Sequence, residues 1–299
     1  MQYWWMETVC HGKCWDVALA ERDGKTEGLL PYCFGRKMGL TYILQPQLTQ
    51  YSGPFLFYPD GMDENRRVAF EHRVCNALID QMMSLNPAVV VQHLSPRLTN
   101  WLPFYWNGFE QTTRYTYRIE DISNPDKVFA GFDHGQRQKK IVNLQRDVQF
   151  FVNDVSPEEF ALMHVEYWRS RGRNDLLDNE FIAHVCRIAI SRNSGFIASL
   201  RDAHNSLVAA RFVVYDEQCA FSLMSAFNRE LYFNGAGEVL VWNVLCYLSD
   251  KTKAYDFEGS MDKGVENFYR SFGAVQTQYF EVSKYKNWFF RRLVSRKRK

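Results

Sequence analysis

Residues 232–273 read YFNGAGEVLVWNVLCYLSDKTKAYDFEGSMDKGVENFYRSFG, and their order of elements decides the fold. Tyr232-Phe233-Asn234-Gly235-Ala236-Gly237 is a glycine-rich link into an apolar helix, Gly237 to Leu248. Ala254 to Phe257 is a short strand, Val265 to Arg270 a helix, and Val275 to Val282 a final strand. Working outward, Gly195–Leu200, Leu207–Tyr215 and Cys219–Met224 precede this run as strands. The first 120 residues repeat the order. A hairpin at Asp23-Gly24 joins Trp15–Glu21 to Leu29–Phe34, and Leu40–Leu44 is a third strand. Asp63 to Leu85 has helical spacing, Ala88–His93 is a buried strand, Leu98–Trp106 a helix and Glu110–Ile119 a strand. Two or three helices are expected between the copies: Lys127 to about Arg146, Pro157–Arg169 behind a Ser156 cap, and Asn179–Ser191.

The duplication predicts a mixed α/β (α+β) protein of two domains, each a mostly antiparallel sheet flanked by helices, with a cleft between them. The expected bounds are 1–122, 127–283, and a tail, 284–299, that follows the last element of the fold. That tail holds eight of the 36 Lys and Arg and none of the 34 Asp and Glu, so a body of formal charge −6 carries a +8 appendage. With 46% apolar and 16% aromatic residues the chain can build a large core, which excludes a disordered class. No apolar run reaches the ~18 residues of a membrane span, the residues after Met1 lack the pattern of a secretory leader, and a cytoplasmic protein without disulfides is expected.

Two constellations could carry chemistry. The Gly-Ala-Gly turn lets backbone N–H groups and the positive end of a helix dipole approach a phosphate, although it is also an ordinary tight turn. Asp256 and Glu258 alternate at a strand end, where one can accept a proton from an attacking amine or cap the next helix with Ser260. A third group is basic: Arg137, Lys139, Lys140 and Arg146 on one helix, with Arg169, Arg171 and Arg173 at the end of the next. Arg pairs bidentately with phosphate or carboxylate, and the competing reading is a solvated helix face. Cys10 and Cys14 lack a second pair at zinc spacing, so no metal is expected.

Gly235-Ala236-Gly237 with Trp242, then Asp256-Phe257-Glu258-Gly259-Ser260-Met261, then Phe268-Tyr269-Arg270-Ser271-Phe272-Gly273 resemble the second half of a FemAB-like protein of the GNAT acyltransferase superfamily. Leu30-Pro31-Tyr32, Gln50-Tyr51-Ser52-Gly53-Pro54 and Asn107-Gly108-Phe109 extend the resemblance over nearly the whole chain. It implies tandem GNAT folds and acyl transfer to an amine on an amino sugar, glycan precursor or peptide. The implied donor is acyl-CoA, such as acetyl-CoA. Tyr232, Asn234, Gly235, Ala236 and Gly237 would bind its phosphates, with Tyr232 standing where the family motif has Gln or Arg. Asp256 or Glu258 is the expected base, and alanine at both is expected to stop turnover without affecting folding. Gln50, Tyr51, Arg137 and Arg171 are the expected acceptor-side residues. Fem-type relatives use aminoacyl-tRNA instead, which makes a tRNA-dependent aminoacyltransferase the alternative, and a degenerate binding module a third reading. The aromatic, basic tail is expected to meet tRNA or an anionic membrane at the inner face, the competing reading being a helix that packs its aromatic side back on the domain.

Overall fold

A computed structural model describes residues 2–10, 13–173, 176–231, 233–259, 261 and 263–297, without the side chains of 135, 136 and 293–297. The chain forms two compact units, 1–114 with 278–299, and 115–277. The sequence-based bounds were contiguous, whereas here the C-terminal strand starts in the second unit and ends in the first.

In the first unit, α1 (Tyr3–Val9) leads into β1 (Cys14–Arg22) and β2 (Lys25–Lys37). Their turn is the expected one, with Asp23 and Gly24 at φ 52° and 73°. β3 (Leu40–Leu44) and the short β4 (Phe55–Leu56) each pair with β2. α2 (Glu64–Met83) begins where the Asp63 carboxylate accepts the Arg66 N–H at 2.8 Å, and it buries Val74, Leu78 and Met82. β5 (Val89–His93) runs parallel to β3. α3 covers only Leu102–Trp106 rather than 98–106, because Pro103 lacks an N–H and is tolerated only in a first helical turn. β6 (Glu110–Ile119) then carries the chain into the second unit.

The helix expected over 127–146 is broken into α4 (Pro125–Ala130), a π turn (His134–Gln138), α5 (Lys139–Leu144) and a 3₁₀ turn (Gln145–Asp147). The cause is tertiary. The Asp133 N–H donates to the Ser271 carbonyl at 2.9 Å, and Gly131 packs so closely on Gly273 that a Cβ there would lie 2.5 Å from the Gly131 oxygen. β7 (Val148–Val152) was not foreseen and pairs antiparallel with β8 (Gly195–Asp202). Between them lie α6 (Pro157–Ser170), capped by Ser156, and α7 (Asn179–Ser191), capped by Asp178. β9 (Leu207–Tyr215), β10 (Cys219–Phe227), α8 (Ala236–Leu248), β11 (Ala254–Asp256) and α9 (Lys263–Arg270) follow as read. The unit's sheet runs β6-β11-β10-β9-β8-β7, with α8 packed on its core.

β12 (Val275–Tyr285) returns to the first unit, pairing from Glu281 to Tyr285 with β5, and α10 (Trp288–Lys297) ends the described chain. Lys284 is therefore not part of a free tail. It lies within the ladder opposite Val90, and its ammonium donates to the Asn107 carbonyl at 2.6 Å.

Candidate functional site

Both units build the same frame: a helix, then a short strand with one parallel and one antiparallel neighbour. In the second unit the helix is α8 and the strand β11, between β10 and β6. Gly235 is the N-cap of α8 at φ 120°, a conformation that favours glycine, and makes no side-chain cap bond. A Cβ on Gly235 would lie 2.3 Å from Leu144 Cδ1, so α5 seals that side of the turn. Lys140 Nζ, from α5, is 3.0 Å from Asn234 Oδ1 and 3.3 Å from Glu238 Oε1. Arg137 pairs with the same buried Glu238, donates to the Ser271 hydroxyl, and lies 4.7 Å over the Phe268 ring. Ala236 and Gly237 are buried behind them. The expected donor residues 234–237 are thus gathered with two cations of the basic cluster, while Tyr232 lies outside the described residues. Arg171 is not with them: it ends α6 with its guanidinium over Tyr167.

At the end of β11, Asp256 is fully buried. Its Oδ1 accepts from Thr116 Oγ1 at 2.5 Å and from the Glu258 N–H at 2.8 Å, and Oδ2 pairs with Arg118 Nη1 at 3.2 Å. Thr116 Oγ1 in turn accepts the Gly259 N–H at 3.0 Å, and a Cβ on Gly259 would meet the Tyr115 oxygen at 2.1 Å. These bonds hold Glu258 at φ 54°, half-buried at the strand end. Asp256 anchors Glu258. Removing Asp256 would take the buried acceptor from the Thr116 hydroxyl and the Glu258 N–H and one carboxylate from Arg118, so Ala at both positions bears on folding as well as on turnover.

The parallel ladder of β10 with β11 covers Cys219–Phe221 and stops, while β10 continues to Phe227 along β9 with a register shift between Ser222 and Met224. β11 ends at Asp256 while β10 runs on, and the first residue of β10 without a β11 partner is Ser222. Beneath it lies Arg211 of β9, 4% exposed, donating to the Ser222 hydroxyl. Sequence reading passed over Arg211, Ser222 and Tyr255. The available signal was one arginine inside the apolar run Leu207–Tyr215.

In the first unit the equivalent strand end is His93. Its Nδ1 lies 2.7 Å from the Gln50 carbonyl and its Nε2 3.2 Å from Glu281 Oε2, which also accepts from Arg114 Nε at 2.6 Å. Glu281 is 3% exposed. Gln45 stitches the Gln50–Tyr51 loop to β5, accepting from the His93 N–H and from Ser52 Oγ, and the Tyr51 ring packs on Tyr279. Gln50 and Tyr51 are thus assembled with a His–Glu–Arg group that sequence reading missed. Glu281, the single acid within β12, was the signal.

Residues 135–269 match the model of the acetyltransferase (GNAT) domain family. No curated protein matches the chain in sequence. Among solved structures, FemX is similar over 92% of this chain and 90% of its own, at 13% identity and a TM-score of 0.67. The C-terminal domain of a lysylphosphatidylglycerol synthetase from Agrobacterium fabrum is similar over 93% and 90%, at 12% identity and 0.55. A tandem GNAT protein from the clavulanic acid biosynthesis pathway covers 91% and 83%, at 11% and 0.51. The GNAT match thus falls within the second unit, and the chain as a whole shares the fold of these tandem GNAT-like structures. Among the described residues no helix is long and apolar enough to cross a membrane.

Proposed function

We propose that the protein transfers an acyl group from an acyl-CoA thioester to an amine acceptor, with the chemistry in the second unit. The observation that carries this reading is the early end of the β10–β11 ladder, with Glu258 held half-buried just past it. The backbone N–H groups at the start of α8 other than that of Ala236, which bonds the Phe233 carbonyl, would hold the donor's phosphates with Lys140; Arg137 and Lys140 exceed by one charge the Glu238 carboxylate they share, which suits an anion. The amine lone pair attacks the thioester carbonyl, the C–N bond forms and the C–S bond breaks. The amine proton passes to the Glu258 carboxylate, directly or through water, and CoA leaves as the thiolate. Backbone N–H groups along the unpaired edge of β10 polarise the carbonyl oxygen. Asp256 is a positioning residue in this scheme, acting through the Glu258 N–H.

The second reading keeps acyl transfer but takes the group from aminoacyl-tRNA, with the acceptor a cell-wall precursor. The likeness to FemX and to a lysylphosphatidylglycerol synthetase domain supports it, as does the +8 C-terminal segment, which suits tRNA phosphates or an anionic membrane. Purified protein offered acetyl-CoA, longer acyl-CoAs and charged tRNA in parallel, each with amine acceptors, separates the two. Release of free CoA that depends on Glu258 is expected. Release of tRNA alone favours the second reading, and no release together with no calorimetric CoA binding leaves a binding module.

A further inference from the structure

β9 carries Arg211 in the middle of Leu207–Tyr215, on the same face as Ala209 and Val213 and so within the core beneath α8. The guanidinium is 4% exposed, donates through Nη1 to Ser222 Oγ, and its buried Nε reaches no acceptor. Among the described residues it forms no ion pair with Asp or Glu. The Tyr255 hydroxyl is fully buried and also without a hydrogen-bond partner, yet it lies close enough to Arg211 and Ser222 for both to favour its ionised form. Tyr269 of α9 stands in the same field; burial pushes its hydroxyl up to about 12 against the pull of Arg211.

An arginine cannot shed its proton to escape burial, and a buried charge with one neutral partner carries a large desolvation penalty. The position is completed by an anion brought from outside. Ser222 is the first β10 residue without a β11 partner, so this group stands where the β10–β11 ladder ends. With Ser222 on Nη1, the Nε–Nη2 edge remains as the fork that a carboxylate accepts in bidentate fashion. The Tyr255 hydroxyl stands close to the same guanidinium. One guanidinium balances one negative charge, which a carboxylate carries and a phosphate dianion exceeds.

We propose that Arg211, with Ser222 and Tyr255, binds a carboxylate borne by one of the two reactants, an assignment that rests on reading the second unit as an acyl-transfer site. The source is either the far end of the acyl group or the acceptor. The first experiment needs no activity. Thermal unfolding of the full chain is followed in sodium acetate, succinate and phosphate against sodium chloride of equal ionic strength. A saturable rise in Tm of a few degrees is expected with the carboxylates. R211M should lose that rise and unfold above the wild type in chloride, because an uncompensated charge has been removed. The proposal is overturned by a wild type that shows no saturable response, by an unchanged response in R211M, or by stabilisation with phosphate and not with carboxylates. If R211M does not fold, the wild-type titration decides. A second experiment separates the sources: succinyl-CoA is compared with acetyl-CoA, and β-alanine with propylamine. The carboxylated member of one pair should be favoured at least tenfold in the wild type, and R211M should bring that ratio near one. Carboxylate binding without any transfer would keep the Arg211 site and discard the acyl-transfer reading, whereas transfer indifferent to carboxylates in both pairs would do the reverse.

Discussion

The strand ends of the two units, His93 on β5 and Asp256 on β11, occupy equivalent places and have been given different work. Each strand has a parallel neighbour on one side and an antiparallel one on the other, and each follows a long helix. In the first unit α2 is closed by the Asp63 carboxylate, and the strand end is a histidine between a backbone carbonyl and a buried glutamate. In the second, α8 is closed by a glycine with cations beside it, and the strand end is an aspartate that fixes the backbone of Glu258. The Asp63 side chain satisfies one of the free N–H groups at the start of α2, whereas the Gly235 cap makes no such bond. The two units thus close their helices differently on the same frame.

The sharpest way to break this comparison is catalytic. Glu258→Gln should lower the transfer rate by ~10²–10⁴-fold, while Glu281→Gln, which alters the other strand end, should leave most of the rate. Equal losses in steady-state assays would remove the functional division.

Stability comes next. Asp256→Ala should cost about 3 kcal/mol, because the buried Thr116 hydroxyl and the Glu258 N–H lose their acceptor and Arg118, with a side chain only 15% exposed, loses one of its carboxylates. Glu281→Ala should cost less, since water can reach Arg114, whose side chain is 31% exposed. Urea unfolding of the two variants measures the difference, and a reversed order would contradict the burial argument.

At the helix starts, Gly235→Ala forces a side chain into φ 120° and against Leu144, a strain of about 1–3 kcal/mol that should also weaken CoA binding. Asp63→Ala removes one cap bond at about 1 kcal/mol and should leave CoA binding unchanged. Calorimetric titration of both variants tests whether only the glycine-capped helix meets the donor.

The smallest effect is a pH dependence confined to the second unit. Burial holds the His164 imidazole below its ordinary range, although its Nδ1 bonds the Ser225 carbonyl at 2.9 Å. The unfolded chain therefore takes up this proton first as pH falls. The contribution of His164 is fully present above its unfolded value of about 6.5 and is lost as pH falls through its lower folded value. Melting curves between pH 7.5 and 5 should show a drop in Tm that His164→Gln reduces.

Most of the frame was readable because local signals and tertiary demands agree. Asp23-Gly24 is a turn in any context, Asp63 before an apolar period of 3.6 is a helix start, and Val89–Val91 are buried on both faces. The reading failed where distant backbone intervened. Gly131 and Asp133 dock on the Ser271–Gly273 turn and break a helix whose own residues would continue it. The candidate site divides in the same way. Asn234–Gly237, Asp256 and Glu258 stand together in sequence, so their spacing revealed them. Arg211, Ser222, Tyr255 and Thr116 come from four strands, and no spacing joins them.

By itself the sequence determined the repeated order of elements, the glycine turn, the carboxylates at the strand end and the charged C-terminus, because each depends on residues within a few positions of one another. Only the tertiary structure decided that Asp256 is an anchor and Glu258 the half-buried group beside it. It alone placed His93 against Glu281 and left Arg211 buried with no ion pair to Asp or Glu among the described residues. Burial and pairing depend on what other strands bring, and for a charged side chain those two quantities set what it can do.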